Sequence, residues 1–512
     1  MGLALLVTAL CTLAACSSGS SNAADSGSDG VAKVAWEFSP VQGILLDAVA
    51  SKGGYHPYMT LMYDSMIHLT PSGPKPGLAT DWRFPDARTV VLTLRKGVTF
   101  QDGTPFNAAV VKFSWDRIIA SKDMQKSSQI KAMESVETPS DDTVIVHLSG
   151  PFATDWRDRF LNNPWQLAVV SPDAVKKAGG DFSRAPVGAG AGPYEFVSYE
   201  SNQKLVLRAN PNYWDKSAVT LKGIEFINTA QGAPTLAALK GGVANMAFTG
   251  AGPDIASATA QGLNVSAALK PDSATNAYFC TSKAPFNNIK ARQAVAYAVN
   301  RDAFVKGPYG GLAVANSATI PTSSPNYPGQ DVPDPYTFDP VKAKQLLAEA
   351  GVPDGTTITA LADPTGANAA VLQVLQQQLQ SVGLNLSILP TANAFADLRT
   401  KKPDIYYSGT GISYGSQSIF VSPGGTANYC DLDDPQLNAA LARTQDPRLD
   451  AAQQKAAWAD YQRVFYDVEA GFTLADVKQA TISTSAVTGI TDQLAPSSGE
   501  PETWAGITVK GR

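Results

Sequence analysis

Gly411-Ile412-Ser413-Tyr414-Gly415 has the G-x-S-x-G spacing that raises a serine nucleophile on a sharp turn after a strand. Acyl transfer there needs a histidine base, which in hydrolase order follows the serine. The chain has only His56, His68 and His147, all upstream, so a secreted serine hydrolase using Ser413 is the minor alternative. The same glycines also suit a flexible loop at the carboxyl end of a strand, where ligands bind. The three histidines share no metal-ligand spacing, and there is no Cys-x-x-Cys or His-Glu-x-x-His pair. Gly188-Ala189-Gly190-Ala191-Gly192 has the wrong spacing for a dinucleotide site, and no glycine-rich loop precedes a Lys-Ser/Thr pair. The carboxylates are scattered. No catalytic residue, metal or cofactor is therefore expected, and the remaining chemistry is that of thiols and of binding side chains.

The thiols point outside the cell. Gly2 to Leu13 is almost wholly small and apolar and leads into Leu13-Ala14-Ala15-Cys16, the pattern of a lipoprotein signal whose cysteine takes a lipid before cleavage. No Lys or Arg precedes the apolar run, a departure from the usual leader. The run is too short to span a membrane, and Ser17 to Gly30 is rich in Ser, Gly and Asp, as a tether would be. Residues 1–16 thus read as signal and lipidation site, and 17–30 as a flexible tether. Removal of Cys11 and lipidation of Cys16 leave Cys280 and Cys430. Outside the membrane a Cys280–Cys430 disulfide is favoured over two separate buried thiols.

At 512 residues the chain exceeds one hydrophobic core, so two or three domains are expected. Its net charge of -5 gives no reason to expect nucleic acid as a partner.

The elements that position everything else centre on Leu92 to Arg117. Val90, Leu92 and Leu94 alternate as a strand, Val98 to Phe100 reads as a second, and Asp102-Gly103 supplies a tight turn. Asn107 can cap the helix that follows, with Phe106 and Val111 in the staple positions. Val31 to Phe38, Thr143 to Leu148 and Thr473 to Thr484 read as strands. Thr356 to Leu361, Val371 to Val382 and Leu384 to Leu389 read as strand, helix and strand, a βαβ unit. Ala291, Ala294, Val295 and Ala298 give a helix one close-packing face, and Asn300 can cap the next helix.

Leu94-Arg95-Lys96-Gly97-Val98, Phe100, Asp102-Gly103-Thr104-Pro105-Phe106, Ala108, Val111, Phe113-Ser114-Trp115 and Arg117 closely resemble the signature of the family 5 extracytoplasmic solute-binding proteins. These are the peptide- and nickel-binding components of ABC importers. Pro76 to Trp82, Gly188 to Trp214 and Pro285 to Arg301 are similar to further motifs of the family. One departure is Val110, where the family has an acidic residue at the third helical position. The resemblance implies an α/β, periplasmic-binding-protein-like fold of class II type, with two lobes around a ligand cleft and an extra inserted domain. Domain I would take 31–67, 188–268 and 482–512, domain II the insertion 68–187, and domain III 269–481. It also implies a monomeric protein at the extracytoplasmic face of the membrane, handing its solute to permease subunits whose ATPase is a separate chain.

Trp36, Phe38, Tyr55, Phe248, Tyr407 and Tyr414, with Ser413 and Thr249, are the candidate ligand contacts, because they fall near the ends of strands expected to face the cleft. Ordinary core packing is the competing reading for each aromatic. An oligopeptide leads as the solute on the family's usual use. Peptide carriers often have an acidic residue after the strand near Asp404 to meet the peptide's ammonium, yet no carboxylate follows here before Asp431. Either Glu37 or Asp64 takes that part, or the solute is a sugar, a metal chelate or another polar metabolite.

Overall fold

The computed structural model describes residues 30–38, 45–51, 57–70, 73–122, 133–151, 153, 156, 161, 163–179, 182–268, 271, 273–362, 367–391, 394–412, 417–425, 427–446, 448–491 and 501–510. Their backbone is organised by two large sheets and one smaller one. The seven-stranded sheet has the order β12-β19-β11-β1-β10-β9-β8. Its strands are β1 (Val31–Trp36), β8 (Tyr194–Glu200), β9 (Lys204–Ala209), β10 (Gly223–Asn228), β11 (Met246–Thr249), β12 (Asn264–Ala267) and β19 (Ala480–Ser483). The six-stranded sheet has the order β14-β18-β13-β17-β15-β16. It is built from β13 (Ser273–Phe279), β14 (Ala313–Ala315), β15 (Thr356–Ala362), β16 (Leu384–Pro390), β17 (Ile405–Ile412) and β18 (Gly471–Val477). β1 runs parallel to β10 and β11, and β15 parallel to β16 and β17.

The third sheet is antiparallel, in the order β4-β5-β7-β6: β4 (Ala79–Asp86), β5 (Thr89–Leu94), β6 (Met133–Ser140) and β7 (Thr143–Leu148). β7 alternates half-buried and buried residues, as its period-two sequence requires. Val98 to Phe100, expected as a strand, makes only an isolated bridge, Thr99 to Pro105, because the turn at Asp102-Gly103 leaves no room for a ladder. The helix Ala108–Ala120 packs on this sheet, and Asn107 caps it by accepting from the Val110 amide at 3.1 Å. Val110 itself is buried in the core shared by helix and sheet, so an acidic residue there would be placed in an apolar interior. Trp115, also buried, donates its Nε1 proton to Leu167 O at 3.1 Å and meets Trp156 edge-on.

The motifs carrying the resemblance pack against one another. The Gln101 side chain donates to Tyr194 O at 3.1 Å and accepts from the Gly190 amide at 3.3 Å. Gly190 and Gly192 lie against the Leu61 and Met62 backbone so closely that a Cβ on Gly190 would fall 1.9 Å from Met62 O, which excludes any other residue there. Asn210 binds Gly192 O at 2.8 Å, and the Arg95 guanidinium lies 3.7 Å from the centre of the Trp214 ring. The Leu92 to Arg117 stretch is thus the joint between the four-stranded unit and the seven-stranded sheet. Val170, Ala174 and Phe182, expected in the insertion, share the core of the seven-stranded sheet, because the segment after Pro164 folds back onto it.

In the six-stranded unit, Ala291, Ala294, Val295 and Ala298 are all buried, the close-packing face expected. Asn300 precedes the helix Arg301–Lys306 but its side chain caps nothing. Its backbone amide and carbonyl are instead taken by Gln378. Arg292 is buried and donates to Phe286 O, Val468 O and Glu469 O. Beside it Glu469 is 1% exposed, and burial pushes its carboxyl well above the ordinary range. A carboxyl raised on folding contributes stability that is present below its unfolded pKa of 4.5 and lost as pH rises through the folded value. Glu469→Gln, which mimics the protonated form, is expected to raise the unfolding midpoint at neutral pH and to flatten this decline. Urea titrations at pH 5 and 8 check it, and an unchanged pH slope in the variant would refute the assignment.

Candidate ligand-binding cleft

Register places the cleft. Thr249, at the carboxyl end of β11, pairs with Ala480, and so does Ala267 at the end of β12. In the other sheet Ser273 pairs with Val477, and Ala274 with Ile412 at the carboxyl end of β17. The chain therefore passes between the sheets from Ala267 to Ser273 and again from Val477 to Ala480. Both crossings lie beside the carboxyl ends of β11 and β17. They are tied by Ala268 N donating to Gln479 O at 2.9 Å, while Lys478 N donates to Leu312 O at 2.8 Å. Thr473 to Thr484, expected as one strand, is two strands in different sheets, broken at Lys478-Gln479. Carboxyl ends of parallel strands are where open α/β sheets bind ligands, and here two sheets offer such ends on either side of a double hinge.

Trp36 ends β1 and is half-buried. Its ring meets Phe248 at 6.0 Å and 72°, and Phe248, also half-buried, meets Trp504 at 6.4 Å and 84°. These two rings close the core of the seven-stranded sheet while keeping some surface at its carboxyl edge. Phe38 is 4% exposed, packs on Tyr199, and has its amide held by Asn228 Oδ1 at 3.0 Å, so in this conformation it is a core residue. Tyr407 is likewise packed in the core, 2% exposed within the six-stranded unit, and burial raises its phenol far above the ordinary range. The Thr249 hydroxyl donates to Asp254 Oδ2 at 3.0 Å and accepts from the Ala251 amide at 3.0 Å. That commits it to shaping the turn into the helix Gly252–Ala260. Tyr55, Ser413, Tyr414 and Cys16 lie outside the described residues.

Of the two acids considered for an ammonium, Asp64 is ruled out. It is buried, and its carboxylate accepts from the Ser65 amide (2.7 Å), Tyr213 (3.1 Å) and Trp214 (2.8 Å) and pairs with His68 at 2.5 Å. Glu37 is exposed, one residue beyond β1 and between Trp36 and Phe38. Trp504 and Asp254, which support Phe248 and Thr249, were not legible as site residues: Trp504 reaches the site from the far end of the chain, and Asp254 reads as a helix-start acid.

Cys280 and Cys430 are joined, with an S–S distance of 1.97 Å. His68 lies in the hairpin of β2 (Ile67–Thr70) and β3 (Gly73–Pro76), and His147 in the four-stranded sheet, where it faces Glu137 at 3.1 Å. Neither belongs to the sheet that carries Gly411. Among the described residues no group of three or more His, Cys, Asp or Glu could hold a metal ion, and no helix is long and apolar enough to cross a membrane.

Two sheets joined by two crossings fit a two-lobed binding protein, and the chain belongs to the bacterial extracellular solute-binding proteins, family 5, whose model matches residues 73–429. Among its relatives, the glutathione-binding protein GsiB of Salmonella choleraesuis is 30% identical over 389 residues, covering 71% of this chain and 73% of that protein. GsiB of Escherichia coli K12 is 29% identical over 402 residues, covering 73% and 76%. The chain has the fold of the Helicobacter pylori periplasmic binding protein DppA in complex with peptide STSA (TM-score 0.75, 20% identity, 94% of this chain and 98% of that one). It is also similar to NikA of Brucella suis in complex with Fe(III)-EDTA (TM-score 0.78, 19% identity, 94% and 100%). These relatives are binding proteins, and the family works with ABC importers outside the cytoplasm.

Proposed function

We propose that this protein captures a short peptide or peptide-like solute in the cleft between the seven- and six-stranded sheets and delivers it to an ABC importer by lobe closure, catalysing nothing. The observation that carries the reading is the double crossing at Ala267–Ser273 and Val477–Ala480, beside the carboxyl ends of β11 and β17. Residues 31–67, 188–268 and 480–512 form one lobe and 269–477 the other, with the crossing at Lys478-Gln479, and 68–187 is an inserted domain whose Val170, Ala174 and Phe182 pack into the first lobe. Glutathione is a tripeptide with a free ammonium, so the relatives named for it support a peptide-like solute. Native mass spectrometry of purified protein tests this. A co-purified peptide, or glutathione, is expected, and a discrete non-peptide mass would replace the solute with a sugar, a chelate or another metabolite.

Glu37 takes the ammonium that the loop after β17 does not. An ammonium closed into a cleft without a counter-charge is costly, and a charge-assisted hydrogen bond is worth roughly 1.5–3 kcal/mol. Glu37→Gln is therefore expected to weaken glutathione binding by roughly tenfold to a hundredfold and to leave thermal stability unchanged. Calorimetry that finds equal affinity removes Glu37 from the site. Tyr414, Ser413 and Tyr55 remain candidate ligand contacts in this reading.

Lipidation at Cys16 keeps the monomer at the extracytoplasmic membrane face, beside the permease it serves. Cys16→Ser is expected to move the protein from the membrane fraction to the soluble one, and retention in the membrane would show another anchor. If Ser413 were instead a nucleophile, Ser413→Ala would abolish a measurable esterase or peptidase activity.

A further inference from the structure

Beside the two covalent crossings the lobes meet a third time, and there backbone lies on backbone. Gly252 opens the helix Gly252–Ala260 that follows β11, and its amide donates to Pro308 O at 3.0 Å. Gly310 belongs to the turn between the helix Arg301–Lys306 and β14, in the lobe of the six-stranded sheet, and has a φ of 54°. A Cβ on Gly252 would fall 2.4 Å from Gly310 N and 2.7 Å from its Cα, and a Cβ on Gly310 would fall 2.8 Å from Gly252 Cα.

Each side is held firmly to its own lobe. The Thr249 hydroxyl links Ala251 N to Asp254 across the start of the Gly252 helix. Tyr309, next to Gly310, is buried with its phenol 3.1 Å from the Thr275 hydroxyl of β13. Leu312, two residues further on, accepts the Lys478 amide of the crossing. The contact is therefore mechanically coupled to both sheets and to the hinge, and the atoms nearest each glycine across it are backbone.

We propose that Gly252 and Gly310 form a bearing that sets how closely the lobes approach beside the hinge, and thereby the affinity with which the cleft closes on its solute. This rests on the lobe-closure reading above, and it makes Gly252 a positioning residue for capture although it is no candidate ligand contact. Gly252 has no left-handed φ, so an added methyl is compatible with its own helix and conflicts only with the opposite lobe. Ordinary van der Waals contact begins near 3.4 Å, so Gly252→Ala must separate the lobes there by about 1 Å.

The test is double electron–electron resonance on full-length protein with spin labels at Val243 and Val341, exposed residues in different lobes, and with Cys11 and Cys16 replaced by serine. In ligand-free protein, G252A is expected to shift the label-to-label distance distribution, and reduced glutathione to bind more weakly in proportion to the shift. G310N should act in the same direction, since asparagine tolerates the left-handed φ and its Cβ meets Gly252. It is read alone if G252A fails to fold. Gly311→Asn, at a φ of 85° with open space around its Cβ, is the control expected to leave the distribution in place. A folded G252A or G310N variant with the unaltered distribution would overturn the bearing. The distance measurement decides this without a ligand, whereas failure of the unaltered protein to bind any peptide or glutathione would count against the proposed function alone.

Discussion

Asp64→Ala is expected to destabilise the protein by about 4 kcal/mol, an unusually large loss for one buried carboxylate. The carboxylate is surrounded by four donors from two parts of the chain: the Ser65 amide, His68 Nε2, Tyr213 Oη and Trp214 Nε1. Alanine takes one acceptor away from all four groups in a largely buried space, and each buried hydrogen bond lost there costs about 1–3 kcal/mol. The damage is local to the joint between the four-stranded unit and the seven-stranded sheet, where Arg95 covers Trp214. Urea unfolding followed by tryptophan fluorescence reads it. Asp64→Asn should recover only part of the loss, because its amide nitrogen would face a donor. A change below about 1 kcal/mol in D64A would mean that Asp64 is not the acceptor holding this joint together.

Removing the Cys280–Cys430 bridge is the second large effect. The two residues are 150 apart in sequence, so the bond closes a long loop in the unfolded chain, and Cys280→Ser with Cys430→Ser is expected to cost about 3–4 kcal/mol. The bridge links the chain just after β13 to the segment that follows the helix Ser418–Val421. Both cysteines are buried in one cluster with Tyr278, Tyr406 and Phe420. Thermal unfolding of the double variant, and of the unaltered protein with and without reductant, should show the same loss. Intact mass without reductant should find no free thiol in the mature chain. Two free thiols there, or identical midpoints in both forms, would remove the bridge as a source of stability.

Much of the local structure was legible before folding. Asn107 caps where a side-chain acceptor before an apolar helix should, and Thr143 to Leu148 alternates as a half-buried strand should. The buried alanine and valine face of the helix Ile289–Ala298 follows from helical spacing alone. Such features depend on residues within a few positions of each other, which is why periodicity and capping chemistry find them. The candidate site was less legible. Trp36 and Phe248 do meet at the carboxyl ends of their strands, but Phe38 and Tyr407 turn inward, and nothing in their neighbours distinguishes an aromatic at a cleft from one in a core. Asp64 failed as a ligand acid for a similar reason: its partners Tyr213 and Trp214 are 149 and 150 residues away.

The sequence by itself determined the family, through the stretch from Leu92 to Arg117 and the motifs that pack against it. Those residues are specified tightly because they make a joint in which glycines touch backbone and a single side chain, Gln101, serves two segments. Only the tertiary structure decided where the lobes divide. Thr473 to Thr484 has an almost unbroken buried β pattern, and burial is the same whether successive strands pair within one sheet or in two. The change of partner at Lys478-Gln479, and the meeting of Gly252 with Gly310 beside it, depend on which surfaces lie opposite after folding, and no local pattern in the chain encodes that.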